Sequence, residues 1–238
     1  PDRVSTPGRK GGEPKMRRSF RHALGVTLMV AMLAVLVVAG CTPKERGGAT
    51  KQPVKIGLLA PLTGTTAPNG IDMRDGFLLF LEENKWNLAG HPVELVVEDE
   101  LFTPAVALNK ARKLVEKDQV NVIVGPLSTA SAYAIAQYVN EVKVPLFVSS
   151  GADDLTQRKG SKYVIRVHPS GSQPMHPFAE WVYNKLGYRK VAALAWDFGY
   201  GYEVVGGFQS VFEQLGGRVV AKVWVPVGVA DYAPYLQT

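Results

Sequence analysis

With 238 residues, 46% of them hydrophobic and 20% charged, the chain has room for one sizeable core or two small ones, and its composition is not that of a disordered protein. The net charge of +6 sits in residues 1–53, which hold 10 Lys and Arg against 3 Asp and Glu; the other 185 residues carry 17 basic and 18 acidic side chains, which excludes a cationic track for nucleic acid. One cysteine, Cys41, excludes an internal disulfide and a cysteine-based metal cage, and no cofactor or metal is expected.

In chain order, residues 1–15 precede Met16 and read as a leader without a fold argument. Met16–His22 (MRRSFRH) is basic, Ala23–Gly40 is an almost wholly apolar run of 18 residues, and the small residues Ala39 and Gly40 stand directly before Cys41. That is the arrangement of a secretory signal with its cleavage site. The VAGC at Val38–Cys41 resembles a bacterial lipobox, in which the cysteine is acylated, although Val is a less usual first residue there than Leu. An uncleaved membrane anchor is the competing reading, since 18 apolar residues can just span a bilayer. Either way the rest of the chain is expected to be exported. Residues 42–53 are polar, contain Gly and end in Pro, as suits a flexible tether.

From Val54 short apolar runs alternate with longer amphipathic ones, the rhythm of an α/β fold with a largely parallel sheet. VKIGLLAPL (54–62) is expected to be a strand leading into the loop TGTTAPNG, followed by a helix over 71–85 with Met73, Phe77, Phe80 and Leu81 on one face. A strand at 93–100 precedes a helix at 104–118, opened by Thr103 as N-cap and Pro104 at its first position. Then come a buried strand at 120–125, a helix at 129–142, a strand at 144–150 and a strand-like run at 163–169. At Pro169-Ser170-Gly171-Ser172 the rhythm restarts: helix 174–186, strand 190–196, helix 202–215, strand 218–226 and the first turn of a further helix after Asp231. The expected organisation is a leader and lipoprotein signal (1–41), a tether (42–53), a first α/β lobe (54–169) and a partial second α/β lobe (170–238), with an interdomain crossing at 168–172.

The order of KIGLLAPLTG, Gly70, LEENK, AGHPVELVVEDE, NKARKLVEKDQVNVIVGPLSTAS, VPLFVSSGADDLT, VIRVHPS and AWDFGYGYE resembles the type I periplasmic solute-binding proteins of branched-chain amino acid ABC transporters, the leucine-binding-protein group. Each piece alone is common in α/β proteins; the order and spacing carry the resemblance. It implies two Rossmann-like lobes with a cleft between them, the second lobe incomplete here. It also implies an extracytoplasmic, lipid-anchored protein that captures a small carboxylate-bearing solute by hinge closure and docks on a membrane permease, with no catalysis.

The residues themselves are compatible with such a site. In an open α/β sheet ligands sit outside the carboxyl ends of the strands. GPLSTAS places Ser128, Thr129 and Ser131 at a helix start, where hydroxyls and free N–H groups converge, and Ser149-Ser150-Gly151-Ala152 follows the next strand with small side chains. An ordinary N-cap and an ordinary turn would recruit the same residue types. By resemblance, Thr129, Ser149, Ser150 and Gly151 occupy positions that hold a solute's carboxylate and amine. The same resemblance implies that an aromatic of WDFGYGYE closes over the solute, with Tyr200 the leading candidate and Phe198 or Trp196 the alternatives. Asn69 stands where many amino-acid binders carry an aromatic, and is expected to hydrogen-bond where others stack. The resemblance leaves the solute open between amino acids, amides, urea and aromatic acids, and the same fold also serves sensory domains.

Catalysis has little support. His91, His168 and His176 lie apart and lack a nucleophile motif around them. Glu98, Asp99 and Glu100 alternate faces along a strand end and are expected to be solvated rather than to form an acid–base or metal cluster.

Overall fold

In the computed structural model the described residues are 51–237. The leader, the signal, Cys41 and all but the last residues of the expected tether lie outside them. Those last residues touch the first sheet: Lys51 donates to the Ala89 carbonyl and the Gln52 carbonyl accepts from His91 Nδ1.

The first lobe is a six-stranded sheet of order β2-β3-β1-β4-β5-β6, formed by β1 (Val54–Ala60), β2 (Asn87–Leu88), β3 (His91–Asp99), β4 (Val122–Val124), β5 (Leu146–Val148) and β6 (Val164–Arg166). All pairings are parallel except the short β2 with β3. β1 is the spine, pairing Val54 with Val93 on one side and Ile56 with Val122 on the other. A strand with neighbours on both edges and helices on both faces must be apolar throughout, and Ile56 through Ala60 are all buried.

Helices α1 (Ala67–Glu83), α2 (Pro104–Glu116) and α3 (Thr129–Val142) cover the two faces. On one side Leu81 and Phe77 of α1 pack on Ile56 and Val93; on the other, Ala107, Ala111 and Leu114 of α2 and Ile135 and Val139 of α3 pack on Leu59, Ile123 and Leu146. Of the expected apolar stripe on α1 only Leu81 is fully buried, and Phe80 is 47% exposed. α1 also starts four residues earlier than the sequence pattern suggests, because Pro68 fits the first turn and Gly70 is helical rather than looped. Thr103 occupies the N-cap position of α2, but its hydroxyl bonds the Leu101 carbonyl instead of a helix N–H.

The strand end Glu98–Glu100 is not solvated, contrary to the sequence expectation. Glu98 is held at 2.6 Å by both Lys110 and Lys113 of α2. Burial works against its charge, but the two ammonium groups outweigh it and keep its carboxyl below the ordinary value. Asp99 accepts from Leu62 N–H, Thr63 Oγ1 and Leu101 N–H. Those bonds overcome burial and hold it low as well. Glu100 is fully buried. The alternation of faces was read correctly; what the strand end faces is helix and loop, not water.

The second lobe follows β6. A parallel pair, β7 (Lys190–Trp196) and β8 (Arg218–Val225), packs against α4 (Met175–Asn184) and α5 (Gly199–Gln214), and a last turn, α6 (Ala233–Leu236), follows. Its core is Ala179, Val182 and Phe212. Among the described residues no helix is long and apolar enough to cross a membrane.

Candidate functional site

Because β1 and β3–β6 run parallel, their carboxyl ends converge on one edge of the sheet, and the loops leaving them face the turn after β7. There a cavity of about 290 Å³ opens between the lobes. Every parallel strand of the first lobe contributes: Thr66 and Asn69 after β1, Phe102 after β3, Leu127 after β4, Ser149, Ser150 and Gly151 after β5, and His168 after β6. The second lobe contributes Trp196, Phe198 and Tyr200 from the end of β7 and the start of α5.

The loop after β4 is shaped by backbone constraints. Gly125 has φ +102° and donates its N–H to the Phe147 carbonyl, and the Gly125–Pro126 peptide is cis. Beneath it, Glu100 Oε1 accepts from Leu127 N–H (2.9 Å) and Ser128 N–H (3.3 Å). Burial pushes the Glu100 carboxyl up; the Ser131 hydroxyl and these two N–H groups offset it only in part, and neighbouring Asp99 adds to the rise. Ser128 Oγ accepts from Ser131 N–H at 3.3 Å, an ordinary N-cap.

The loop after β5 is pinned from below by Arg166, whose Nη1 donates to the Gly151 (3.0 Å) and Ala152 (3.3 Å) carbonyls while Nη2 donates to Thr156 Oγ1. Gly151 meets the Tyr200 ring so closely that a Cβ there would lie 2.6 Å from it. Ser150 Oγ is buried and has no hydrogen-bond partner among the described residues. A buried hydroxyl normally finds one, and Ser150 is among the residues that line the cavity.

The opposite wall is aromatic. Phe102 of the first lobe lies 5.7 Å from Phe198, which in turn lies 6.1 Å from Trp196 and 6.2 Å from Tyr200, centroid to centroid. The Trp196 indole N–H donates to Tyr232 Oη. No lining residue carries a fixed charge, so an anion here would be held by hydroxyl, amide and backbone N–H dipoles.

Of the residues singled out in the sequence, Asn69, Ser149, Ser150, Gly151 and Tyr200 line this cavity. Ser128 and Thr129 do not. Ser128 caps α3, and Thr129, with its Oγ1 buried and without a hydrogen-bond partner among the described residues, packs its methyl against Gly199 of the second lobe. Asn69 belongs to the first turn of α1 rather than to a loop. Thr66, Phe102, Leu127 and His168 were not anticipated. Phe102 is a lone aromatic in a turn with φ +52°, outside any periodic pattern. The rule that could have found all four is positional: each follows the carboxyl end of a parallel strand. Among the described residues no group of three or more His, Cys, Asp or Glu is placed to hold a metal ion.

Residues 53–238 match the model of the periplasmic binding protein family. The chain belongs to that family. Among its relatives, the Leu/Ile/Val-binding protein homolog 6 of Brucella abortus is 29% identical over 185 residues, covering 77% of this chain and 47% of the relative. Among solved structures, an ABC transporter substrate-binding protein from Sphaerobacter thermophilus is 36% identical with a TM-score of 0.70, over 78% of this chain and 51% of that one. A solute-binding protein of an ABC transporter from Rhodopseudomonas palustris BisB5, solved with 3,4-dihydroxybenzoic acid, is 31% identical with a TM-score of 0.73, over 78% and 50%. This periplasmic binding protein thus spans about half the length of the relatives it matches. The fold is the type I arrangement of that family, with its cleft between two α/β lobes.

Proposed function

We propose that the protein is the extracytoplasmic, lipid-anchored solute-binding component of an ABC uptake transporter, capturing a small carboxylate-bearing solute by closure of its two lobes and delivering it to a membrane permease. The observation that carries this reading is the interlobe cavity, with rings on one side and the unpartnered Ser150 hydroxyl with the Ser149–Gly151 backbone on the other. A solute lodged there would offer its carboxylate to Ser149, Ser150 and neighbouring N–H groups, and its apolar body to Phe198 and Tyr200. Relatives described as Leu/Ile/Val-binding support a branched-chain amino acid.

A second reading, an aromatic acid, is favoured by the run of four rings and by the dihydroxybenzoate held by the Rhodopseudomonas neighbour. Aromatic rings prefer tilted or offset partners at these spacings. Calorimetry of the purified protein against leucine, isoleucine, valine, benzoate, 4-hydroxybenzoate and acetamide tests both. Saturable 1:1 binding of an amino acid or an aromatic acid is expected, and a folded protein that binds none of the panel would overturn the proposal. Phe198→Ala is expected to weaken binding of the solute so found by about 10- to 100-fold, as for a buried aromatic contact, in a protein that still unfolds cooperatively. An affinity equal to wild type would remove Phe198 from the site.

The anchor is tested separately. In cells fed a labelled fatty acid, the Cys41→Ser variant is expected to lose all acyl label and to leave the membrane fraction. Retention of membrane association by that variant would favour an uncleaved anchor over a lipid.

A further inference from the structure

Glu203 sits on α5 one turn beyond Tyr200, a spacing that puts both on the same side of the helix. It does not line the cavity, yet it joins the second lobe to the first through two hydrogen bonds. Its Oε1 accepts from the Tyr133 hydroxyl of α3 (2.9 Å) and from the Asp153 N–H (3.1 Å). The Tyr133 oxygen in turn accepts from the Asp154 N–H at 3.0 Å. One carboxylate and one phenol, each from a different lobe, therefore satisfy two successive N–H groups of the 3₁₀ turn Asp153–Thr156, which continues the Ser149–Ala152 loop.

The seat is close. A Cβ on Gly171, in the segment joining the lobes, would meet Glu203 Cβ at 2.8 Å and Oε2 at 3.0 Å, and a Cβ on Gly151 would meet the Tyr200 ring. Oε2 is buried without a hydrogen-bond partner among the described residues. Burial accordingly raises the Glu203 carboxyl, the Asp153 N–H and Tyr133 hydroxyl working against the rise and the Asp153 and Asp154 carboxylates adding to it. Removing a carboxylate from water is unfavourable unless its donors are in place. Here the donors belong to the other lobe, so the contact is favourable only in one arrangement of the two lobes. When they separate, the carboxylate hydrates and the Asp153 amide loses its acceptor, whereas the Asp154 amide keeps the Tyr133 oxygen of its own lobe.

We propose that Glu203 is a positioning residue, an interlobe latch that holds the first turn of α5 on the first lobe and thereby fixes the Tyr200 ring over the Ser149–Gly151 loop. The latch stands on the interlobe contact alone; its bearing on affinity rests on the solute-binding reading above.

Hydrogen exchange and cross-relaxation measured by NMR on the purified protein test it without any solute, so its failure is distinguishable from failure of that reading. In Glu203→Ala the Asp153 amide is expected to exchange at least tenfold faster, with a smaller change at Asp154, whose acceptor Tyr133 remains, and the cross-relaxation between the Gly151 α-protons and the Tyr200 ring is expected to vanish. The β1 and β4 amides of Leu58 and Ile123 should keep their protection. Tyr133→Phe should speed Asp154 more than Asp153, and Glu203→Gln, which keeps an acceptor at Oε1, should restore protection of Asp153. The proposal is overturned if Glu203→Ala leaves the Asp153 amide as slow as wild type, if Leu58 and Ile123 lose protection to the same degree, or if Gln behaves like Ala.

Discussion

Glu100→Ala is expected to lower the unfolding free energy by about 2–4 kcal/mol, whereas Glu100→Gln should cost far less. The alanine variant leaves two N–H groups, those of part-buried Leu127 and buried Ser128, without their acceptor, and it empties the volume of a fully buried side chain. Against this stands the relief of no longer burying a carboxylate, which keeps the loss below the sum of those penalties. Glutamine retains the Oε1 acceptor and removes the charge. The same comparison has a pH signature. Burial raises the Glu100 carboxyl in the folded state above its unfolded value of about 4.5. The native state therefore binds its proton more tightly than the unfolded state, and the Glu100 contribution falls as pH rises from the unfolded value through the folded one. Urea unfolding at a series of pH values should show wild type losing stability relative to Glu100→Gln across that window and running parallel to it above. Parallel curves throughout would mean that Glu100 titrates as it does in the unfolded chain.

Gly125→Ala should be as damaging, at about 3–5 kcal/mol, by a different route. At φ +102° any L side chain is strained, a cost of about 1–3 kcal/mol. The added methyl would also overlap the Leu59 carbonyl oxygen, which is backbone of the central strand and has nowhere to go, so a similar overpacking cost adds. Gly125 begins the segment that delivers Leu127 to the cavity and Ser128 to the cap of α3, so the lesion falls on the loop itself. Gly76 is the control. It lies inside α1 with open space at its Cβ position, and Gly76→Ala should be neutral or stabilising by up to about 1 kcal/mol. Chemical denaturation of the two variants side by side checks both signs, and equal stability of the two would contradict this account.

The order of strands and helices was readable in the sequence because parallel α/β folds alternate two clear periodicities. Boundaries suffered where one residue served two purposes. Gly70 looked like loop because glycine breaks helices, but it is helical because α1 presses on the Pro61 carbonyl there, a long-range contact with no local trace. Gly199 and Gly201 moved the start of α5 in the same way, three residues ahead of the sequence reading. The acidic end of β3 was misread because most of its partners are distant in the sequence: Lys110 of α2 for Glu98, Leu62 and Thr63 for Asp99, and Leu127 and Ser128 for Glu100. Burial of a carboxylate is decided by what folds over it, which neither charge nor alternation along a strand reveals. The aromatic wall was half legible. Trp196, Phe198 and Tyr200 stand together in one segment, whereas Phe102 joins them from the other lobe through the turn after β3.

The two sheets are unequal, and this bears on how the molecule fails under heat. The first lobe buries apolar side chains along the central strands of its sheet, β1, β4 and β5. The β7–β8 pair leaves Leu194 and Val220 about half exposed and relies on a small cluster around Phe212. Regions with few buried apolar contacts open at lower free energy than the rest. Warming should therefore loosen the smaller lobe first and carry away the rings and the Glu203 contact while the larger sheet is still intact. Loss of the cleft would precede melting of the larger sheet, at a temperature lower than any midpoint read from the chain's overall helix content.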